Sequence, residues 1–270
     1  MNEEHELPQQ PFVRTLGDGP RKVLALHCTI AHSGAWRGLA GRLEHDATFI
    51  APDMLSHGRS PDWDGQGNFQ DRITEIAEAN LSQPMDLIGH SFGATVALRL
   101  AVTHPNLVRS VVLIEPVFFA VARQDAPELT DQHIEDASPV KDALSRGDDA
   151  LAARLFNRMW STESSPRWPQ LPESTRAAMI RGIHVIPKVD EALFRDRAGL
   201  LKPGVLDRAT MPILLLRGTL TQPVMTAINE GLARRLPNAA NAVVDGAGHM
   251  LPISHPGATA EHARAHWTRL

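Results

Sequence analysis

A chain of 270 residues can bury a large core, and its length fits either one α/β domain with insertions or two smaller domains. Its 27 lysines and arginines and 31 aspartates and glutamates are mixed along the chain with a formal net charge of −4, so no basic stripe offers itself to nucleic acid. The single cysteine excludes an internal disulfide, the polar, acidic start "MNEEHELPQQ" is unlike a secretory signal, and no apolar run approaches the roughly 20 residues that span a bilayer, so a cytoplasmic protein without membrane insertion is expected.

Residues 1–10 are expected to be a flexible tail. After them, short apolar runs bounded by turn residues recur: "KVLALH" (22–27), "TFIAP" (48–52), "MDLIG" (85–89), "SVVLIEP" (110–116), "PILLLRG" (212–218) and "NAVVDG" (241–246). Runs of this kind are strands buried on both faces. Helical spacing over 70–80, 92–104 and 223–236 falls between them, and strands alternating with helices predict a mostly parallel sheet with helices on both faces. The interval 118–205 breaks the rhythm with helix-like stretches near 140–160 and 172–183. It is expected to be a helical cap inserted into a core formed by residues 11–117 and 206–270.

"MDLIGHSFGATVALRLAVTHP" (85–105) holds Gly89-His90-Ser91-Phe92-Gly93, a G-x-S-x-G pattern between a strand and a helix. A chain that reverses from strand to helix within one residue is strained there, and glycines on either side remove the collisions. Ser91 then sits at a helix N-terminus, where backbone N–H groups favour developing negative charge. The alternative is a chance match, and the flanking elements weigh against it.

With these residues the chain resembles the α/β-hydrolase superfamily, and the resemblance covers almost all of it. "LALHCTIAHSGAW" (24–36) resembles the oxyanion loop, "APDMLSHGRS" (51–60) the D-x-x-G-H-G-x-S loop, and "DGAGHMLPISHP" (245–256) the loop of the catalytic histidine. The resemblance implies an eight-stranded-type sheet. The first loop departs from it, with His27-Cys28 where the family usually has His-Gly.

Among 13 histidines, His249 follows the last expected strand in a G-x-G-H turn and suits the role of base, since imidazole titrates near working pH. His90 is expected to pack away from Ser91, His27 and His57 to hold loops together, and His255 to be exposed at the last helix. The motif match assigns the oxyanion donors to the backbone N–H groups of Thr29 and Phe92. Cys28 fits a small buried residue better than a second nucleophile.

The acid is displaced. Many family members place an aspartate three residues after the glycine that ends strand seven, and here that count from Gly218 reaches Thr221, in "RGTLTQPV" (217–224). Glu115, at the end of the strand that the family numbers six, is the candidate, resembling haloalkane dehalogenase-like members, and the order Ser91, Glu115, His249 is the family's. Asp245 is the rival. Asp207 lies at the wrong edge.

A serine nucleophile speaks against epoxide hydrolysis and dehalogenation. Cleavage of a carboxylic ester, thioester or lactone through an acyl-serine is expected, with a small molecule and water as partners and neither metal nor organic cofactor. Carbon-carbon bond hydrolases, perhydrolases or haloperoxidases, lyases and a non-catalytic receptor share the scaffold and stay open. Cys28, Phe118, Phe119, Phe156, Trp160 and Met250 are candidate pocket residues, with the cap's own core as the alternative for its aromatic rings. Oligomeric state has no signature in the sequence.

Overall fold

The computed structural model describes residues 10–268. Most of the segment expected to be a tail therefore lies outside the described residues. Seven strands form one sheet: β1 (Val13–Leu16), β2 (Arg21–Leu26), β3 (Ala47–Pro52), β4 (Met85–His90), β5 (Val108–Ile114), β6 (Ile213–Gly218) and β7 (Ala239–Val244). Their spatial order is β1-β3-β2-β4-β5-β6-β7; β1 pairs antiparallel with β3 and every other pair is parallel. Among the described residues the sheet thus has seven strands where an eight-stranded type was expected, with β1 alone forming the antiparallel edge. The strands numbered six and seven by resemblance are β5 and β6.

Alternation along the buried strands sends successive side chains to opposite faces. Leu24, Leu26, Leu87, Val111, Leu113, Ile213 and Leu215 enter one core, with helices Phe69–Ala79, Phe92–Thr103, Phe119–Asp125 and Pro223–Arg235. Val23, Ala25, Ile88, Val112, Ile114, Leu214 and Leu216 enter the other, against helices Arg37–Arg42 and Pro256–Trp267. Two covered faces explain the apolar runs of β2 to β6. β7, expected to be buried on both faces, is instead an edge strand on which Asn241 and Val243 are exposed, because no further strand among the described residues covers it. β1 escaped the sequence pattern because its residues alternate between exposed and half-buried on an outer strand.

Between β5 and β6 the chain is helical, with helices at Phe119–Asp125, Pro127–Asp136, Ser138–Ser145, Asp149–Met159, Glu173–Gly182 and Asp190–Arg195. The single helical stretch expected near 140–160 is two helices, because Gly147 adopts φ +73° and Asp148 caps the second by accepting the Leu151 N–H. None of the described helices is long and apolar enough to cross a membrane.

Candidate active site

The C-terminal ends of parallel strands lie along one edge of a sheet, where open α/β folds gather their sites. Ser91 follows β4, Glu115 follows β5, the stretch 217–224 leaves β6, and His249 lies beyond β7. Three of the five described non-glycine residues with positive φ are here: Ile30 at 54°, Ser91 at 56° and Glu115 at 48°. Each such conformation costs on the order of 1–3 kcal/mol and persists only where surrounding structure holds it. The Ser91 N–H is fixed to Ile114 O at 2.9 Å and the Glu115 N–H to Leu216 O at 2.9 Å.

The glycines beside Ser91 are required by contact. A Cβ on Gly89 would lie 2.5 Å from Ala94 Cα, and one on Gly93 would lie 2.2 Å from Leu26 O. With both absent, the helix from Phe92 presses against β2, and Phe92 takes its first position, where backbone N–H groups lack intrahelical partners.

Thr29 is held from both sides. His27 Nδ1–H donates to Cys28 O at 2.7 Å while its Nε2 accepts the Met54 N–H at 3.0 Å. His57 Nδ1–H donates to Leu55 O at 2.8 Å and its Nε2 accepts the Ile30 N–H at 2.9 Å. Both rings are therefore neutral, and burial pushes their pKa values down, to about 4 for His27 and about 3 for His57. Asp53 adds a third tie, accepting the N–H groups of Ser33 at 2.6 Å and Arg59 at 2.8 Å. The Cys28 thiol is buried, which pushes it up to about 12, so it stays protonated at neutral pH.

His249 and Glu115 meet in the interior. His249 Nδ1 lies 3.3 Å from Glu115 Oε2, with side-chain exposures of 5% and 0%. Two further donors serve the carboxylate: the Gly218 N–H reaches Oε1 at 2.8 Å, and the Thr221 hydroxyl donates to Oε2 at 2.7 Å. Asp245 is exposed and accepts instead from Thr219 Oγ1 at 3.3 Å. His90, beside the serine, donates from Nε2 to His249 O at 2.8 Å, so it anchors the histidine loop as well as packing; burial holds it well below the usual imidazole pKa. His255 is half-buried rather than exposed, at the junction of helices Leu251–Ser254 and Pro256–Trp267.

Ser91 stands between two compartments. The larger, about 400 Å³, is lined by Cys28, Thr29, Phe156, Trp160, His249 and Met250 among others. The smaller, about 60 Å³, shares Thr29, Ser91, Phe156 and Trp160 and continues past Phe119, His133 and Leu193. Of the expected pocket residues, Phe118 alone lines neither; it is buried in the main core, because the chain turns into the helix at Phe119 immediately after it.

Two residues that sequence spacing did not single out, His133 and Gln222, complete the site beside the expected Trp160. The Trp160 indole packs on the His249 ring with centroids 4.0 Å apart and 31° between planes. His133, which stacks on Phe119, donates from Nδ1 to Gln222 Oε1 at 2.9 Å, and Gln222 Nε2 donates to Met159 O at 3.0 Å. Gln222 and Thr221 belong to the stretch where an acid was sought, and its lack of a carboxylate was their one visible signal. Gln222 and His133 are 89 positions apart, beyond any local pattern.

The sequence profile described as "Alpha/beta hydrolase family" matches residues 23–262. Lipase LipV of Mycobacterium tuberculosis is 32% identical over 138 residues, an alignment spanning 50% of this chain and only 52% of the lipase. A pimeloyl-[acyl-carrier protein] methyl ester esterase of Nitrosomonas europaea is 26% identical over 90% of this chain and 94% of its own. Among solved structures, an esterase from Exiguobacterium antarcticum superposes with a TM-score of 0.72 at 17% identity, covering 94% of each chain, a likeness of fold.

Proposed function

The chain belongs to the α/β-hydrolase family, and from that premise we propose that it is a serine hydrolase cleaving a small to medium carboxylic ester, thioester or lactone through an acyl-Ser91 intermediate. Ser91 Oγ attacks the carbonyl carbon as His249 Nε2 takes its proton. Glu115 accepts from Nδ1–H, fixing the tautomer and facing the imidazolium that forms. The N–H groups of Thr29 and Phe92 receive the oxyanion, each donor worth about 3–4 kcal/mol in favourable cases. His249 returns the proton to the leaving alcohol, and water repeats the sequence to release the acid.

The observation that carries this reading is the buried Glu115–His249 contact of 3.3 Å beside the cavity that Ser91 and His249 both line. The names of the relatives, two esterases and a lipase, agree with an ester as substrate. The helical segment 118–205 acts as a cap, contributing Phe156 and Trp160 to both compartments.

Replacing Ser91 by Ala tests the mechanism. Turnover of p-nitrophenyl esters and labelling by a fluorophosphonate should both vanish while the melting temperature holds, since the hydroxyl contributes chemistry and almost no packing. A variant that hydrolyses esters at near the parent rate rejects the acyl-serine route.

A further inference from the structure

The larger cavity has a wall that the proposed chemistry leaves idle. On the side formed by the chain after β2, His32, Gly34 and Arg37 line it together, and none of its lining residues is an aspartate or glutamate. His32 Nδ1 accepts the Gly34 N–H at 2.9 Å. A neutral imidazole that accepts at one nitrogen carries its proton on the other, so His32 Nε2–H is a donor.

Gly34 lets the two cationic or donor side chains share this wall. A Cβ placed there would lie 2.4 Å from His32 Cε1 and 3.5 Å from Arg37 Nη1. Among the described residues Arg37 makes no ion pair, whereas Arg21 and Arg109 share Asp86, and Arg234 and Arg235 share Asp125. The chain as a whole has a formal charge of −4, yet the cavity beside Ser91 is walled by a cation and no carboxylate. Such a cleft concentrates anions, and a guanidinium fork matches the geometry of an oxyanion.

Resting on the ester-hydrolase reading, we propose that His32 and Arg37 form an anion subsite, and that the substrate is an ester carrying a carboxylate or phosphate-like group away from its scissile bond. The larger cavity holds the anionic arm. The smaller one, about 60 Å³ and walled by Val117, Phe119, Leu193 and Phe194, holds a small alkyl group on the other side of the carbonyl.

The test compares methyl hemi-esters of dicarboxylic acids of increasing length, and methyl esters of phosphono-carboxylic acids, with methyl esters of matching monocarboxylic acids. The parent protein should show a higher kcat/KM for an anionic ester of one matching length, with the preference shrinking as sodium chloride rises. Arg37→Gln should lower the anionic-to-neutral ratio roughly two- to fivefold, acting through KM, as expected for a charge contact made by an exposed guanidinium. Arg37→Glu should invert the preference. A preference confined to the phosphono series assigns the subsite to phosphate chemistry, and one confined to the hemi-esters assigns it to carboxylate.

Calorimetric binding of the same hemi-ester to the Ser91→Ala protein, with and without Arg37→Gln, separates the two readings. Arg37-dependent binding to the Ser91→Ala protein, when the parent protein itself turns over no ester, keeps the subsite and rejects the hydrolase. A parent protein without anion preference, or a ratio unchanged by Arg37→Gln in both turnover and binding, overturns the subsite.

Discussion

Glu115→Gln is the substitution that most directly interrogates the proposed acid. Glutamine has nearly the shape of glutamate, and its amide oxygen can still accept the Gly218 N–H that now reaches Oε1 at 2.8 Å. Its NH2 group would then face His249 Nδ1 in place of Oε2, which lies at 3.3 Å. Two donors oppose each other, so the imidazole loses the tautomer that leaves Nε2 free to take the serine proton, and the imidazolium loses its counter-charge. In a comparable arrangement this costs up to about 10⁴ in kcat, and a loss of 10³–10⁴ corresponds to about 4 to 5.5 kcal/mol of transition-state stabilisation. Steady-state hydrolysis of a p-nitrophenyl ester reads the effect, and the melting temperature checks that the buried site still forms.

Thr221→Asp then distinguishes a lost acid from a damaged site. Alone it brings a second carboxylate to a position whose present oxygen lies 2.7 Å from Glu115 Oε2. Two like charges that close, one of them fully buried and the other half-buried, disfavour joint ionisation, so the single variant should lose stability. Combined with Glu115→Gln, the new aspartate can accept from the glutamine NH2 and face the imidazole from the neighbouring strand, and part of the activity should return. Asp245→Asn is the control. If it cripples turnover while Glu115→Gln stays within a few-fold of the parent, the acid belongs to the histidine's own loop and the reasoning fails.

Two further outcomes follow from the buried rings. Trp160, 9% exposed, packs on His249 and lines both compartments, so Trp160→Ala should cost about 3–5 kcal/mol in thermal unfolding and also alter the preference among acyl chain lengths; an unchanged preference would return the ring to a purely structural role. His27 and His57 are held neutral with pKa values of about 4 and about 3, below the ~6.5 of an unfolded chain. Because the folded values are depressed, their stabilisation is fully present above pH ~6.5 and is lost as pH falls toward 4 and 3. Linkage puts the loss at about 2 kcal/mol apiece by pH 5. Urea unfolding from pH 7 to 5 should show this slope, and His57→Gln should flatten it; a parent midpoint constant over that range would contradict the assignment.

What the sequence made legible follows from how local each constraint is. Strands β2 to β6 bury both faces, so each left a largely apolar run, broken in β4 only by the buried Asp86, and the elbow's glycines are dictated by contacts within 2.5 Å of their own backbone neighbourhood. β1, half-covered, left no such run. The helices between β5 and β6 were blurred because their apolar residues serve small separate clusters, as with Val140, Ala152 and Ile183, and because Gly147 breaks one pattern into two. Phe118 was assigned to the pocket from its composition. Which of two adjacent phenylalanines faces a cavity depends on the residue at which the helix begins, and that lies inside the uncertainty of any boundary.

The stretch "RGTLTQPV" acquires its sense only when β5 and β6 lie side by side. Ile114 pairs with Leu216, and adjacent strands are about 4.8 Å apart, so a carboxylate can leave β5 and still reach the histidine served from β6. Glutamate's added methylene lengthens that reach. The turn at Glu115, with φ +48°, aims it across, and the strain is held by the Glu115 N–H bond to Leu216 O. Once there, the carboxylate is buried and needs donors, which the vacated stretch supplies through the Gly218 N–H and the Thr221 hydroxyl. An aspartate at 221 would compete for the space that the hydroxyl now stabilises, so threonine there and glutamate at 115 are physically one choice. Gln222 extends the same stretch to His133 and Met159, beside the Trp160 ring that packs on His249. The stretch therefore binds Glu115 on one side and the helical segment on the other, and a change in it is expected to be felt at His249 from both directions.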